Sequence, residues 1–330
     1  MSQSKIDKIL VALPVEDRHK KLLRSSAQGA QMEFIPAKDL TRQQVQDADI
    51  IIGNVSPELL RGTEKLKWLQ LNSAGTDGYT QEGVLPKAVL LTNATGAYGL
   101  AISEHMIGAL LCMMKKLHLY GADQQKHVWG DHGNVTAIYG SRTLVVGFGD
   151  IGSEFAVRMN ALGSRVTGIR RNKAEKPDYL EALYQMDAFE ECLKTADIVA
   201  TCLPGTRDTY HVFDRNAFAK MKEGAYFLNV GRGSAVDSYA LAEALNSGHL
   251  AGASVDVTEP EPLPKEHPLW DAQNLLITPH ISGNYHLQET HERIIRIAAD
   301  NLVRFMQGRE LKNIVDFSTG YRAFLSEKRT

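Results

Sequence analysis

Three polar residues in the second half of the chain could together perform acid–base chemistry on a carbonyl group. Each follows a predicted buried strand: Arg232 after Ala225–Val230, Glu261 after Gly252–Val257 and His280 after Leu275–Thr278. Because parallel strands end at one edge of a sheet, where open α/β sheets bind their ligands, we expect the three side chains to meet there. A protonated histidine can donate a proton to an oxygen that gains negative charge, and an arginine can bind a carboxylate and polarise the neighbouring carbonyl. The set suits the reduction of a small 2-keto acid.

A carboxylate beside His280 would orient the imidazole and favour its protonated form, so a buried glutamate partner is expected. The segment after Gly252–Val257 offers two candidates, Glu259 and Glu261, each of which precedes a proline. The residue types alone do not choose between them. They also leave open that Arg232 only caps loop carbonyls and that His280 is an ordinary hydrogen-bonded loop histidine.

A glycine-rich turn upstream is typical of dinucleotide binding. Gly147-x-Gly149-x-x-Gly152 follows the apolar strand Thr143–Val146 and opens the amphipathic helix Gly152–Leu162. In this setting the first glycine permits a tight turn, the second lets the backbone approach a pyrophosphate, and the third lets helix and strand pack closely. The free N–H groups at the start of the helix would then hold the anion. A turn without a ligand, or a flavin or S-adenosylmethionine site, is the alternative.

The end of the next strand, Arg165–Ile169, bears on which nicotinamide cofactor binds. NAD sites usually carry an acidic residue there, on the ribose 2′-hydroxyl. Here Gly168 stands about where the acid would be, and Arg170 and Arg171 follow it. An acid would repel a 2′-phosphate, whereas a guanidinium can hold it with two hydrogen bonds. We therefore expect NADP, with NAD as the second choice, unless the segment is only a solvated basic loop.

Two series of strand-then-helix patterns must position these residues. The first series contains the strands Lys8–Leu13, Asp49–Gly53, Leu66–Asn72 and Val89–Thr92. One long helix, Ile102–Leu119, and a polar loop, 121–141, separate it from a second series of six strands that ends at Thr278. Helical patterns between successive strands indicate crossover connections, so we predict an α/β protein with two doubly wound parallel-sheet domains. The final helix, Glu289–Gln307, and the tail 309–330 then return to the first domain.

Length and composition set the outer bounds. The 330 residues suit two domains, at 1–100 plus 286–330 for substrate and at 101–285 for the dinucleotide, and the net charge of −2 argues against nucleic acid as a partner. The three cysteines show no ligand or disulfide spacing, which predicts no metal site and a reducing, cytoplasmic compartment. The longest apolar stretch, Met106–Met114, is too short for a membrane span of ~20 residues, and the N-terminus lacks the features of a signal peptide. We expect no membrane association.

Four motifs, in this order, resemble those of the D-isomer-specific 2-hydroxyacid dehydrogenases. They read GFGDIG (147–152), NVGRG (229–233), DVTEPEP (256–262) and PHISG (279–283). The likeness extends to LNSAGTDGY (71–79) and TGAYGLAISEHMIGALL (95–111), so it covers nearly the whole chain. The chain is most similar in kind to the glyoxylate/hydroxypyruvate reductases. The resemblance implies a Rossmann nucleotide domain inserted into a flavodoxin-like substrate domain, and a D-2-hydroxy acid as product.

The resemblance also implies roles for individual residues. Arg232 would bind the substrate, His280 would be the acid/base, and Glu261 would be its partner. The family's glutamate directly precedes the proline of an E-P pair, which Glu261 matches, although Glu259–Pro260 makes a competing pair. The N–H groups of Ala74 and Gly75 would hold the substrate carboxylate, a task that needs no side chain. The implied cofactor contacts are Gly147, Gly149, Asp150, Ile151, Gly152, Arg170, Arg171, Leu203, Pro204, Val230, Gly231, Gly283 and Asp256, the last of which would bond the nicotinamide carboxamide.

Partners and alternatives follow from the same likeness. It implies a homodimer joined through the nucleotide domain, with Ile102–Leu119 and the loop after it as the arm. The family includes nucleotide-sensing corepressors, which are the alternative to an enzyme, and formate dehydrogenases, in which glutamine replaces the glutamate found here at 261. The segment CLPGTRDTYH (202–211) departs from the Pro-Leu-Thr-Pro run of many relatives at Gly205 and Arg207. The sequence leaves open which 2-keto acid is used.

Overall fold

Two compact units divide the chain. The computed structural model describes residues 6–323, so residues 1–5 and the end of the predicted tail, 324–330, lie outside the described residues. One unit comprises Met1–Ala97 with Leu287–Thr330, and the other comprises Tyr98–His286. The first crossing comes before the predicted bound at residue 100, because the helix that opens the second unit already begins at Gly99.

The first unit is built on a five-stranded parallel sheet. Its strands are β1 Lys8–Val11, β2 Gln31–Phe34, β3 Ile50–Ile52, β4 Trp68–Gln70 and β5 Leu90–Thr92, and its first helices are α1 Asp17–Ser26, α2 Arg42–Gln46 and α3 Pro57–Leu60. The strand order β2-β1-β3-β4-β5 is the flavodoxin-like doubly wound order. Sequence patterns missed β2 because its residues at the sheet edge are exposed or half-buried, so no apolar run marks it.

The second unit is built on a seven-stranded parallel sheet. Its helices are α4 Gly99–Met114, α5 Leu117–Gln125, α6 Asp150–Ala161, α7 Phe189–Leu193, α8 Arg215–Lys220 and α9 Ser238–Asn246, and its strands are β6 Arg142–Val146, β7 Arg165–Ile169, β8 Ala182–Tyr184, β9 Ile198–Thr201, β10 Ala225–Asn229, β11 Leu250–Val255 and β12 Leu275–Ile277. The order β12-β11-β10-β9-β6-β7-β8 is the Rossmann order with one further strand at an edge. The predicted α/β class with two doubly wound parallel sheets is confirmed. The prediction of six strands in this sheet is wrong, because it missed the short, half-exposed edge strand β8.

The chain returns to the first unit through α10 Gln288–Met306 and the antiparallel pair β13 Val315–Asp316 and β14 Tyr321–Arg322. Asn301 of α10 is fully buried. Its Nδ2 donates to Gln70 Oε1 in β4 at 2.9 Å, and its Oδ1 accepts from the Lys312 N–H at 2.8 Å. Gln70 Oε1 also accepts from the Thr92 hydroxyl at 2.8 Å. These paired polar groups fix the returning helix to the sheet, since an unpaired buried amide would be costly.

Two helices, rather than one, occupy the segment predicted as Ile102–Leu119. α4 ends at Met114 and α5 begins at Leu117. Lys116 between them has a left-handed conformation with φ 57°, which a continuous helix of L-residues does not contain. Apolar residues lie on both sides of the break, at Met113, Met114, Leu117 and Leu119, so the hydrophobic pattern alone does not reveal it. Within residues 6–323, no helix is both long and apolar enough to cross a membrane.

An aspartate fastens the amino edge of the first sheet. Asp49 comes one residue before β3, and its Oδ2 accepts hydrogen bonds from the N–H groups of Asp7 and Lys8 at the start of β1, at 3.0 and 3.1 Å. Lys67, just before β4, donates to its Oδ1 at 2.8 Å. Burial raises the pKa of this carboxyl, but the hydrogen bonds from Lys67 and the backbone outweigh burial and hold the pKa below its usual range.

The second sheet has the same arrangement. Asp197 comes one residue before β9, and its Oδ2 accepts a hydrogen bond from the Arg142 N–H at the start of β6 at 2.8 Å. Lys222, just before β10, donates to its Oδ1 at 2.5 Å. Burial again raises the pKa, and the hydrogen bonds from Lys222 and the backbone again hold it below the usual range. We call Asp49 and Asp197 the edge aspartates.

Candidate active site

The glycine turn has the geometry that close backbone approach demands. Gly147 has φ 94°, and a Cβ there would come within 2.8 Å of the Cys202 carbonyl carbon and oxygen after β9. A Cβ at Gly152 would come within 2.5 Å of the Gly147 carbonyl oxygen and 2.9 Å of Val145 Cγ1. Both positions therefore require glycine. The turn leads directly into α6, with Gly149 as the residue before its first turn, so free N–H groups point from the helix start toward the carboxyl edge of the sheet.

The end of β7 corrects the predicted place of Gly168. Gly168 does not stand at the end of the strand, because it pairs with Val145 and Leu183 inside the sheet, and a Cβ there would meet Phe148 and Leu183 at 2.9 Å. The strand ends at Ile169, so Arg170 is the first residue at the carboxyl edge. The position at which NAD sites usually carry a carboxylate is therefore occupied by an arginine.

Arg232 lies in a tightly enclosed turn directly after β10. A Cβ at Gly231 would come within 2.3 Å of the Leu203 carbonyl oxygen, and one at Gly233 within 1.9 Å of the Thr258 carbonyl oxygen. The turn thus packs between the loops that follow β9 and β11. Neither Gly231 nor Gly233 could be replaced by a residue with a side chain without a clash. An ideal Cβ at Gly205, the departure noted in the sequence, would lie only 3.1 Å from Arg232 Cγ, so the missing side chain there makes room for the arginine.

Asn229, at the end of β10, shapes the same turn and was not predicted as a site residue. It is fully buried, its Nδ2 donates to the Arg232 carbonyl at 3.1 Å, and its Oδ1 accepts from the Gly231 N–H at 3.1 Å. Its place in the N-x-x-R-G motif was the available signal. Arg232 Nη1 donates to the Gly231 carbonyl at 2.8 Å.

The histidine and one glutamate form a pair. His280 Nδ1 lies 2.7 Å from Glu261 Oε1. Glu259, the other candidate, instead lies with its Oε2 3.3 Å from His211 Nε2. The expectation of a buried partner is wrong, since the side chains of His280 and Glu261 are 47% and 44% exposed. Both belong to loops at the carboxyl edge, where the sheet no longer covers them.

Asp256 is the buried carboxylate of this edge. It follows β11 and accepts hydrogen bonds from the hydroxyls of Thr278 and Ser282 and from the N–H groups of Ile281 and Ser282. Burial raises its pKa, but these hydrogen bonds outweigh burial and hold the pKa below its usual range. The carboxylate is therefore ionised at neutral pH and engaged by the loop that contains His280. Its contact with a nicotinamide stays a prediction.

The other predicted cofactor residues lie at or near the ends of neighbouring strands. Leu203 and Pro204 follow β9, Val230 follows β10, and both Leu203 and Val230 are buried. Gly283 lies after β12, and a Cβ there would lie 2.9 Å from the end of the Ile102 side chain and 3.2 Å from the Tyr98 ring, so both would have to shift to admit another residue. Among residues 6–323, no group of three or more histidine, cysteine, aspartate or glutamate side chains is arranged to hold a metal ion.

In the first unit, Ala74 and Gly75 belong to a turn whose carbonyl groups accept hydrogen bonds from polar side chains. Asn93 Nδ2 donates to the Ala74 carbonyl at 2.7 Å, and the Ser73 hydroxyl donates to the Gly75 carbonyl at 2.7 Å. Asn54 Nδ2 in turn donates to Ser73 Oγ at 3.1 Å. These side chains, which sequence reasoning missed, tie both carbonyls into the protein. This orientation suits a turn that offers its N–H groups to an anion.

Comparison with known proteins gives the same result as the geometry. The family model described as "D-isomer specific 2-hydroxyacid dehydrogenase, NAD binding domain" matches residues 107–282. The glyoxylate reductase of Thermococcus litoralis is 30% identical over 294 residues, which cover 85% of this chain and 87% of that protein. The crystal structure of a D-isomer specific 2-hydroxyacid dehydrogenase family protein from Aeromonas salmonicida aligns with a TM-score of 0.83 and 31% identity, and covers 95% of this chain and 100% of that chain. A D-isomer specific 2-hydroxyacid dehydrogenase from Xanthobacter autotrophicus, in complex with NADPH and MES, aligns with a TM-score of 0.81 and 25% identity over 96% of this chain and 100% of that chain.

The Rossmann sheet, its glycine turn and the relatives define an NAD(P)-dependent oxidoreductase. The chain belongs to the D-isomer specific 2-hydroxyacid dehydrogenase family, as the sequence motifs indicated. Members of this family act on small 2-hydroxy and 2-keto acids. The residues at the carboxyl edge fit a nicotinamide dinucleotide, because Gly147 and Gly152 leave the start of α6 open to a pyrophosphate.

Proposed function

We propose that the protein reduces a small 2-keto acid to the D-2-hydroxy acid, with NADPH preferred over NADH, and catalyses the reverse oxidation. The observation that carries this proposal is the 2.7 Å contact between His280 Nδ1 and Glu261 Oε1, in loops at the same carboxyl edge of the sheet as Arg232. A histidine that is oriented by a carboxylate can act as general acid in one direction and as general base in the other.

The proton route follows from which imidazole nitrogen is occupied. Glu261 engages Nδ1 of His280, so Nε2 is the atom that faces a substrate. In reduction, Nε2–H donates its proton to the carbonyl oxygen as negative charge develops there, and the Glu261 carboxylate stabilises the imidazolium beforehand. A bound nicotinamide supplies the hydride to the carbonyl carbon. The Arg232 guanidinium binds the substrate carboxylate and polarises the carbonyl.

The substrate is a short 2-keto acid. Its carboxylate would be held by the N–H groups of Ala74 and Gly75, whose carbonyls are already tied down by Asn93 and Ser73. Glyoxylate is the first candidate, because the relative from Thermococcus litoralis is a glyoxylate reductase. Hydroxypyruvate and pyruvate follow, since they add only one carbon unit to the same 2-keto carboxylate.

The preference for NADPH rests on the arginines after β7. Arg170 stands where a carboxylate would favour the free ribose of NAD, and Arg171 follows it. Two guanidinium groups favour a 2′-phosphate. The NADPH complex of the Xanthobacter autotrophicus relative supports this choice.

A homodimer through the second unit is the proposed assembly. The segment after α5 exposes large apolar side chains: Val128 is 52%, Trp129 104% and Val135 50% exposed. Exposed apolar groups close together mark interaction sites. Sedimentation should give twice the chain mass at micromolar concentration, and a single-chain mass would contradict the dimer.

The decisive experiment compares two histidine–glutamate pairs of the same unit. H280A should lose roughly 10²–10⁴ in turnover with each keto acid of a panel, the usual worth of a positioned acid. H211A, which removes the histidine paired with Glu259, is the matched control and should retain turnover. NADPH affinity, measured by fluorescence, should be the same in all three proteins. Near-normal turnover in H280A would overturn the proposed mechanism.

A further inference from the structure

We propose that Asp256 is a positioning residue for His280, an inference that rests on the acid/base role proposed above. The family resemblance gives Asp256 a contact with the cofactor. Its contacts within the second unit point to another task, because both oxygens of its side chain bind the loop that contains His280. The side chain is buried, and the residue is only 2% exposed.

The Asp256 carboxylate binds residues that precede and follow His280 in the sequence, rather than the His280 imidazole. Its Oδ1 accepts from the Thr278 hydroxyl at 2.6 Å and from the Ile281 N–H at 3.0 Å. Its Oδ2 accepts from the Ser282 hydroxyl at 2.5 Å and from the Ser282 N–H at 3.1 Å. An ionised carboxylate has about four acceptor positions, so the loop uses its full capacity. The residues on both sides of the histidine are thereby fixed to one buried charge.

The backbone at His280 needs this support. Its φ of 53° lies in the left-handed region, which residues with a Cβ adopt only when their surroundings hold them there. The His280 N–H also donates to the main-chain carbonyl of Asp256 at 2.8 Å. Asp256 therefore holds the histidine backbone through its own backbone and holds the adjacent residues through its side chain.

The same network reaches a helix behind the sheet. Thr278 Oγ1 lies 3.3 Å from Nε2 of His105 on α4. The Thr278 hydroxyl has one proton, which it donates to Asp256 in a hydrogen bond. His105 must therefore be the donor in its contact with Thr278 Oγ1. The chain of hydrogen bonds from His105 through Thr278 to the Asp256 carboxylate thus anchors the loop to a helix of the same unit. Rigid anchoring matters here, because a displacement of about 1 Å at a reacting group can cost roughly 10²-fold in rate.

The test removes the hydroxyl donors and leaves the carboxylate in place. T278V and S282A each remove one donor, and T278S keeps the hydroxyl that T278V loses. We expect the combination of T278V and S282A to lower kcat for keto-acid reduction by about 10- to 100-fold, through displacement of the acid from hydrogen-bond reach. KM for the keto acid and Kd for NADPH should stay within about twofold, because the groups that bind them are untouched. T278S should recover the activity that T278V loses. S247A, which removes an exposed hydroxyl at the end of α9, should match the wild type in every measurement.

The outcomes separate this inference from the proposed function. Turnover retained in H280A would defeat the proposed function itself. An inactive H280A together with wild-type kcat in T278V and in S282A would overturn the positioning role alone. A loss of NADPH affinity with unchanged kcat would also overturn it, because it would show that the network serves the cofactor. The single variants keep the test valid if the double variant does not fold.

Discussion

At the scale of single residues, the contact between Glu261 and His280 gives a prediction about proton transfer. Glu261 contacts His280, and Glu259 contacts His211, although only one residue separates the two glutamates. E261Q keeps a side chain that can hydrogen-bond but removes the negative charge that favours the imidazolium. We therefore expect E261Q to lower kcat/KM for keto-acid reduction, because the imidazole loses the ionised partner that orients it for proton donation.

The measurement is kcat/KM for reduction and for oxidation in wild type, E261Q and E259Q. E259Q is the matched control, since it changes the same residue type in the same loop. Its kcat/KM should equal the wild-type value. A loss in E259Q with none in E261Q would assign the partner role to Glu259 and contradict the prediction.

Cofactor choice is also decided by single side chains. Replacing Arg170 and Arg171 together by alanine should raise KM for NADPH by about tenfold or more, because a charge-assisted bidentate contact contributes about 1.5–3 kcal/mol. KM for NADH should stay nearly constant. R165A changes an arginine at the opposite end of the same strand, β7, and should alter neither value. An equal loss for both cofactors in the double variant would remove the basis for NADPH preference.

At the scale of elements, the loops around Arg232 are fitted so closely that a methyl group should disturb them. G233A would push a Cβ to within 1.9 Å of the Thr258 carbonyl oxygen. The atoms that the Cβ would meet belong to the backbone, which can shift only at a large cost in free energy. We therefore expect a loss of about 1–3 kcal/mol in the free energy of unfolding, together with lower turnover. G108A is the control, because a Cβ on that helical glycine meets nothing within 4 Å and alanine favours helix. Denaturant titration of both variants checks the prediction, which an unchanged G233A would refute.

Sequence patterns predict some elements of this protein better than others, for physical reasons. Central strands such as β3 are recognisable because both faces are buried and every residue is apolar. The edge strands β2 and β8 contact other strands on one side only, and their mixed residues give no such pattern. The break at Lys116 was not predicted, because apolar residues resume directly after it at Leu117 and Leu119. At the site, motifs indicated which residues matter, but not that Asn229, Ser73 and Asn93 shape the turns, because hydrogen bonds across distant segments leave no local pattern.

At the scale of the whole molecule, the edge aspartates link stability to pH. The pKa of Asp49 is lower in the folded protein than its usual value, so the stability it contributes is present above about pH 4 and is lost as pH falls through the folded pKa. D49N should therefore lower the free energy of unfolding by about 1.5–3 kcal/mol at pH 7, the range for hydrogen bonds to a charged group. The difference from wild type should shrink as pH falls below about 4. Urea titrations at pH 7, 5 and 3 test this, with D17N as control because the exposed Asp17 carboxylate, 90% accessible, should change little.

The edge aspartates also bear on how such a protein can acquire new substrates. The same tripeptide, Ala-Asp-Ile, stands at 48–50 and at 196–198, a likeness too short to register as a sequence repeat. Both copies lie at the amino edge of their sheets, whereas ligand-binding loops of open α/β sheets lie at the carboxyl edge. Substitutions that change ligand recognition therefore lie at the opposite edge of each sheet from the aspartates that hold the strands together. Loop substitutions can accumulate without loss of these hydrogen bonds, which is a physical basis for one architecture binding many 2-keto acids.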